Sequence, residues 1–215
     1  MCLTPIQLKK ETIKQKIADS YHMQQVPCGI CLECKKRRVN SWYVRLKNQL
    51  DDAKNAYMVT FTYDEENIPF SENGLMTLDY TDFQKFMKRY RKKADEKNKR
   101  VRYFTVGEYG SSTYRPHYHA IMFNIDPLLI VDCWNLGFVH FGNVTDASLY
   151  YTLKYVTKST FKQSDIDDDR KPEKALMSKG LGLNFLQDNI INYYHEDPSR
   201  GVTMLGNKKL PLPRY

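Results

Sequence analysis

Residues 115–123 read Arg-Pro-His-Tyr-His-Ala-Ile-Met-Phe, and this segment decides how the rest of the chain is interpreted. Successive side chains of a β-strand point to opposite faces, so His117 and His119 share one face while the residues between and after them alternate to the other. Pro116 suits the first residue of a strand, because it has no backbone N–H to donate to a sheet. Two imidazoles on one face can hold a metal ion, although an isolated His-x-His is more often a pair of half-buried histidines.

A second strand is predicted just before this segment. Residues 101–108 alternate as a strand, and Gly107, Gly110 and the following serines predict a turn into the histidine strand. This hairpin would place Glu108 beside the histidines, whereas Glu108 alone would be an ordinary solvated turn residue. Two neutral imidazoles and one carboxylate suit Mg²⁺ or Mn²⁺ held together with a substrate phosphate.

The segment 150–158 predicts a helix that carries phenols and ammonium groups. Tyr151 and Tyr155 are four residues apart and share a face, Lys154 lies beside them, and Lys158 extends the basic face. A phenol with a reference pKa near 10 is a poor nucleophile at neutral pH, unless a cation stabilises the phenolate or a metal polarises its target. The alternative is an amphipathic helix whose tyrosines only pack against the core.

Taken together, these motifs resemble the HUH endonuclease superfamily, specifically the rolling-circle replication initiators of small single-stranded DNA phages of the gokushovirus type. The resemblance covers most of the chain, with the motifs in the order that the family has them. The matching segments are Tyr57 to Tyr63, Gly107-Glu108-Tyr109-Gly110, His117-Tyr118-His119, Tyr151-x-x-Lys154-Tyr155-x-x-Lys158 and, towards the amino terminus, Cys28-x-x-Cys31-x-x-Cys34 with Trp42 and Arg45.

The resemblance implies a metal-dependent nick in single-stranded DNA at a replication origin, a 5′-phosphotyrosine intermediate and later rejoining by transesterification. The expected metal ligands are His117, His119 and Glu108, and the expected catalytic residues are Tyr151, Tyr155 and Lys154. The residues expected to contact DNA are Arg115, Lys158, Tyr109 and Tyr114. Which tyrosine cuts first is not readable from the sequence. A host helicase and polymerase are expected partners, because the sequence has no Gly-x-x-x-x-Gly-Lys-Ser/Thr loop for unwinding DNA.

Two other functions fit parts of the same sequence. A single-tyrosine transposase of the HUH kind would share the metal site and use one tyrosine. A zinc-bearing nucleic-acid-binding module without catalysis would explain the positive charge and the cysteines, and it would form no covalent link to DNA.

The cysteines suggest a second metal site. Three of the five cysteines form the cluster Cys28-x-x-Cys31-x-x-Cys34, which in a reducing compartment indicates metal ligands or free thiols rather than disulfides. Three thiolates leave a tetrahedral Zn²⁺ one ligand short, and either Cys2 or His22 could supply the fourth. Structural zinc and free thiols both stay open at this point.

The composition favours a globular protein that binds a polyanion. The chain has 215 residues, 41% of them hydrophobic, with a net charge of +8 and a pI near 9.1. A nucleic acid is the favoured partner because the basic runs are interleaved with tyrosines. No apolar run approaches about 20 residues and the amino terminus lacks the apolar region of a signal peptide, so a cytoplasmic protein without a membrane span is expected.

The predicted order is strand, helix, strand, hairpin strand, helix, strand, helix. This order predicts an α+β fold with a central antiparallel sheet, helices on one face and the site on the other; the resemblance implies the same RRM-like or palm-like sheet. The expected divisions are 1–55, an arm and basic helix with the cysteine cluster; 56–160, the nuclease core; and 161–215, an extension packed on that core. The abrupt tail leaves open whether the native protein continues past Tyr215.

Overall fold

The computed structural model of the protein describes residues 2–7, 25–94, 100–156, 167–197 and 199–213. Its strands and helices, in chain order, are β1 (Ile6–Gln7), β2 (Gln25–Val26), α1 (Leu32–Asp52), β3 (Ala56–Thr62), α2 (Tyr80–Lys93), β4 (Arg102–Tyr109), β5 (Pro116–Phe123), α3 (Pro127–Cys133), β6 (Val139–Asn143), α4 (Asp146–Lys154), β7 (Ala175–Met177), a short 3-10 helix (Leu183–Phe185), α5 (Asp188–Glu196), β8 (Val202–Leu205) and β9 (Lys208–Pro211). From β3 to α4, this is the order that the sequence predicts.

The central sheet of the described residues has five antiparallel strands in the order β6-β3-β5-β4-β7. The predicted α+β class with an antiparallel sheet is therefore confirmed. The histidine strand β5 is the middle strand, between β3 and β4. Its register places Thr60 opposite His119 on one side, and Glu108 opposite His117 on the other.

Helices cover both faces of this sheet. On one face, Tyr118, Ala120 and Met122 of β5 pack in a core with α2 and α3. On the other face, Ile121 and Phe123 pack in a second core with α1 and α4. Because side chains two apart on a strand share a face, this second core lies on the histidine face. The prediction of helices on one face only is therefore wrong.

The hairpin between β4 and β5 forms as predicted, with backbone hydrogen bonds between Gly110 and Arg115 and between Tyr114 and Gly110 closing the turn. A Cβ at Gly107 would lie 2.9 Å from side-chain atoms of Leu78 and Tyr80, so a larger residue there would make these side chains shift. The small residue Gly107 thus leaves room for the start of α2 beside β4. The hairpin register brings Glu108 to His117.

The helix that carries the tyrosines differs from its predicted limits of 150–158. It begins at Asp146, because Thr145 and Ser148 form a reciprocal capping box that satisfies the first backbone N–H groups. Its last residue is Lys154, and Tyr155 is the C-cap. Lys158 lies outside the described residues.

Strand β7, the β8–β9 hairpin and the two-residue pairing of β1 with β2 were not predicted from the sequence. Each is short and lacks the long alternation that marks β5. Among the described residues, no helix combines the length and the apolar character that crossing a membrane requires.

Candidate metal and tyrosine site

His117, His119 and Glu108 meet at one end of the β4–β5 ladder. The Nε2 atoms of His117 and His119 lie 3.4 Å and 3.2 Å from Glu108 Oε2. The three ligand atoms all lie within 4.8 Å of one another. The alternation of the histidine strand and the turn before it thus produce the convergence that the sequence predicts.

The donors of this group fit a divalent cation. Glu108 Oε2 is buried and forms no well-aligned hydrogen bond although both imidazoles lie within 3.4 Å of it, so a cation could complete its coordination. Burial alone would raise the pKa of Glu108, but contacts with His117, His119 and Tyr155 hold it below its usual value. A charged carboxylate and two imidazole nitrogens form a nitrogen and oxygen donor set that suits Mg²⁺ or Mn²⁺.

The second nitrogen of each imidazole is already engaged. Thr60 Oγ1 lies 3.0 Å from His119 Nδ1, and the backbone oxygen of Arg115 lies 3.1 Å from His117 Nδ1. Such outer contacts orient metal-binding imidazoles and fix which nitrogen faces the ion. The position of Thr60 next to His119 follows from the β3–β5 register.

Helix α4 brings two phenols to the histidines. The ring centroid of Tyr151 is 5.3 Å from that of His119, and the ring of Tyr155 is 6.4 Å from it. Tyr151 is 41% exposed and Tyr155 only 5%. Lys154 Nζ lies 6.0 Å and 5.7 Å from the centroids of the Tyr151 and Tyr155 rings.

The two phenols differ in their electrostatic surroundings. Burial raises the pKa of Tyr155 far above its usual value, and contacts with Glu108 and Tyr151 raise it further. A phenolate at Tyr155 is therefore strongly disfavoured in this arrangement. Tyr151, which faces solvent, is the more accessible of the two oxygens for an incoming phosphate.

The residues expected to contact DNA differ in their exposure and in their partners. Tyr109 is buried on the opposite face of the sheet, where its hydroxyl donates to the Lys171 carbonyl, so the prediction that its ring stacks on DNA is wrong. Tyr114 is 50% exposed in the hairpin turn, with Arg170 against its ring. Arg115 donates to Glu65 and to the Tyr63 carbonyl, which ties it to the end of β3. Lys158 lies outside the described residues.

A second group of metal-binding side chains lies where the amino-terminal arm meets α1. The sulfur ligands of Cys2, Cys28, Cys31 and Cys34 all lie within 4.8 Å of one another. The Thr4 hydroxyl and backbone N–H groups lower the pKa of Cys28 to about 6, which favours the thiolate. Of the two proposed fourth ligands, Cys2 occupies this position; His22 lies outside the described residues.

Comparison with known proteins gives a consistent set of relatives. A family model that describes replication-associated proteins of the ORF2 type matches residues 56–160. Replication-associated protein ORF2 of Spiroplasma virus 4 is 30% identical over 88% of this chain and 66% of its own length. Replication-associated protein VP4 of Bdellovibrio phage phiMH2K is 27% identical over 94% of the chain and 69% of its own. For replication-associated protein ORF4 of Chlamydia phage 1, the values are 25%, 92% and 55%.

The matched part of the chain thus spans between 55% and 69% of the length of these three relatives. No solved structure matches the chain.

Proposed function

Because the chain belongs to the family of replication-associated proteins of small single-stranded DNA phages, we propose that it initiates rolling-circle replication by nicking single-stranded DNA at an origin. The observation that carries this proposal is the position of Tyr151, whose ring lies 5.3 Å from that of His119 in the His117, His119 and Glu108 group. A nucleophile from α4 and a cation-binding group from β4 and β5 are the two parts that a tyrosine nickase needs.

In the proposed reaction, the Tyr151 phenolic oxygen attacks the scissile phosphorus and releases its proton to solvent. The bond from phosphorus to the 3′ oxygen breaks, and that oxygen takes up a proton to become a free 3′-hydroxyl. The 5′-phosphate remains ester-linked to Tyr151. A cation held by His117, His119 and Glu108 would supply charge stabilisation at the phosphate oxygens. Attack of a 3′-hydroxyl on the phosphotyrosine reverses the bond changes and releases Tyr151.

The position of Lys154 and the exposures of the two phenols support a role for each residue. The ammonium of Lys154 is near both rings and stabilises negative charge on the phenolate or the phosphate. Tyr151 is exposed and cuts first. Tyr155 is buried against Glu108, so it becomes the second nucleophile only after that contact opens. A single-tyrosine transposase would need no such second phenol.

The test is covalent capture of DNA. The protein is incubated with Mn²⁺ and single-stranded oligonucleotides that tile the genome encoding it, and adducts are resolved by denaturing electrophoresis and mapped by mass spectrometry. We expect DNA on Tyr151, no adduct from Tyr151→Phe, and a first adduct but no second transfer from Tyr155→Phe. Tyr150→Phe is the matched control, because Tyr150 stacks on Tyr43 instead of facing the histidines.

Absence of any adduct would overturn the proposal and favour a nucleic-acid-binding module without catalysis. Full strand transfer by Tyr155→Phe would remove the second nucleophile and favour the single-tyrosine chemistry. An adduct on a residue outside α4 and its C-cap would overturn the assignment of the site.

Structural zinc at Cys2, Cys28, Cys31 and Cys34 is part of the proposal, supported by four thiols whose sulfur atoms all lie within 4.8 Å of one another. The match of the family model to residues 56–160 supports a nuclease core with those limits. The proposed setting is the cytoplasm of a bacterial host, with host helicase and polymerase as partners. Each of these stays a prediction.

A further inference from the structure

Part of the histidine face of the sheet is left uncovered by α1 and α4. It lies on the side of β6, which is an edge strand of the sheet that the described residues form and pairs there with β3. Val139 and Phe141 of β6 contact the core on the α2 side, so the alternating residues Phe138 and His140 face the histidine side. Both are exposed, and Phe138 at 75% has the most exposed aromatic ring in the described part of the chain.

The sheet register places this ring in line with the candidate metal residues. The Thr62 N–H donates to the Phe138 carbonyl at 2.9 Å, so these two residues are paired. Thr62 in turn lies opposite His117. One pair further along, His140 lies opposite Thr60, which lies opposite His119. Phe138 and His117 are therefore two strand spacings apart, about 10 Å, on the same face.

The backbone that carries Phe138 is held rigidly. Besides the N–H, the Thr62 hydroxyl donates to the Phe138 carbonyl at 3.2 Å, and Trp134 Nε1 donates to the Thr62 carbonyl at 3.0 Å. Gly137 has φ +151°, and a Cβ there would lie 2.3 Å from the Thr62 oxygen, so only glycine allows this approach. Because the backbone is already fixed, only the Phe138 side chain loses conformational entropy when a flat ligand covers the ring.

We propose that Phe138 is a stacking platform for one base of single-stranded DNA, next to the phosphate that Tyr151 attacks, with His140 as a second contact. The DNA position follows from the proposed function, since the strand must cross this face to reach Tyr151. Exposed rings on a basic protein are the elements that hold single-stranded bases without sequence readout, and the chain carries a net charge of +8. Scattered surface apolar residues are common, but this ring shares its face and register with the site.

The first experiment measures binding without cleavage. Fluorescence anisotropy of a labelled mixed-sequence oligonucleotide of about 20 nucleotides, longer than common single-stranded site sizes, is followed without added Mg²⁺ or Mn²⁺. We expect Phe138→Ala and Phe138→Leu to weaken binding about tenfold, within the range of one stacked base, and Phe138→Trp to retain it. Leucine keeps apolar bulk but lacks the π face, so this pair isolates stacking.

Leu128→Ala is the matched control. Leu128 is 81% exposed on α3, which packs on the opposite face. We expect its binding to equal that of the unchanged protein. Wild-type affinity of Phe138→Leu, or an equal loss in Leu128→Ala, would overturn the proposal.

A second experiment locates the base. Oligonucleotides with 5-iodouracil at successive positions are linked to Tyr151 and irradiated. Cross-links to Phe138 confined to positions beside the linked nucleotide support the proposal, and cross-links spread evenly along the strand overturn it. If no covalent nick occurs while Phe138→Leu still weakens binding without added Mg²⁺ or Mn²⁺, the proposed function fails and the platform stands.

Discussion

Thr60 shows how a single hydroxyl can define the candidate metal site. Its Oγ1 lies 3.0 Å from His119 Nδ1 and so helps to hold the ring in the orientation that directs Nε2 at Glu108. The His117 ring is oriented by the backbone carbonyl of Arg115, a contact that no side-chain substitution removes. Thr60 is therefore the outer contact that mutation can test.

We predict that Thr60→Val lowers the affinity for Mn²⁺ by about 10- to 100-fold, the usual effect of losing an outer contact. Valine has the shape of threonine but cannot hydrogen-bond to the imidazole. Isothermal titration calorimetry measures the affinity, and Thr60→Ser should restore it. Thr62→Val is the control, because the Thr62 hydroxyl donates to the Phe138 carbonyl instead of contacting an imidazole. An equal loss of affinity in Thr62→Val would contradict the role given to Thr60.

At the scale of elements, α4 matters because it carries both phenols. It is held to α1 by the stacked rings of Tyr43 and Tyr150 and by the ion pair of Lys47 with Asp146 at 3.2 Å. Its start is fixed by the capping box of Thr145 and Ser148. The position of Tyr151 thus depends on the stacking of its neighbour Tyr150 and on contacts of Thr145 and Asp146, more than one turn away.

We predict that Thr145→Ala reduces the free energy of unfolding by about 1 kcal/mol, because an orphan N–H of the first turn loses its acceptor. For a chain of this size, that corresponds to a drop in Tm of about 2–4 °C. Circular dichroism melting measures it. Thr145→Ser should melt like the unchanged protein, and an unchanged Tm in Thr145→Ala would show that the cap contributes nothing.

The amino-terminal arm raises a different question at this scale. Strands β1 and β2 pair over only two positions, Ile6 with Val26 and Gln7 with Gln25, which is too little to hold an arm by hydrogen bonds alone. The cysteine cluster defined above joins Cys2 in the arm to the start of α1. A tetrahedral zinc ion would supply the missing stabilisation.

We predict about one zinc ion per chain, since four thiolates complete one tetrahedral site, as measured by mass spectrometry of the purified protein. Cys31→Ser should lose the zinc and lower the Tm. Cys133→Ser is the control, because Cys133 is buried in the core on the α2 side and belongs to no metal-binding group of the described residues. Zinc loss in both variants, or none bound at the outset, would contradict the site.

The periodicity of the sequence predicts which side chains share a face of a strand or helix, and this determines only part of the arrangement. The alternation around His117 and the turn before it fix a hairpin, so Glu108 was placed correctly from local signals. In α1, Val39, Trp42, Leu46 and Leu50 recur at helical spacing, which predicts a buried side of the helix but not the face of the sheet against which it packs. Tyr109 was assigned to DNA although it is one residue from Glu108 and thus points to the opposite face.

At the scale of the whole molecule, the net charge is +8, and its cations lie on both faces of the sheet. Helix α2 carries an exposed basic side, including Lys88, but it packs on the face opposite the candidate site. Lys154 is exposed next to both phenols. Only cations on the histidine side lie along the proposed path of the DNA, so equal charges should contribute unequally to binding.

Salt dependence separates these contributions. For single strands, each phosphate neutralised by a cation adds about 0.7 to the slope of log affinity against log salt. Between about 50 mM and 200 mM salt, we predict that Lys154→Gln lowers the magnitude of this slope by about 0.7 in fluorescence anisotropy titrations with single-stranded DNA. Lys88→Gln should leave the slope unchanged.

Phe138→Ala should reduce affinity at every salt concentration with the same slope, because stacking releases no counterions. Equal slope changes for Lys154→Gln and Lys88→Gln would mean that the strand does not follow the histidine face, and a smaller slope for Phe138→Ala would mean that its loss displaces phosphate contacts.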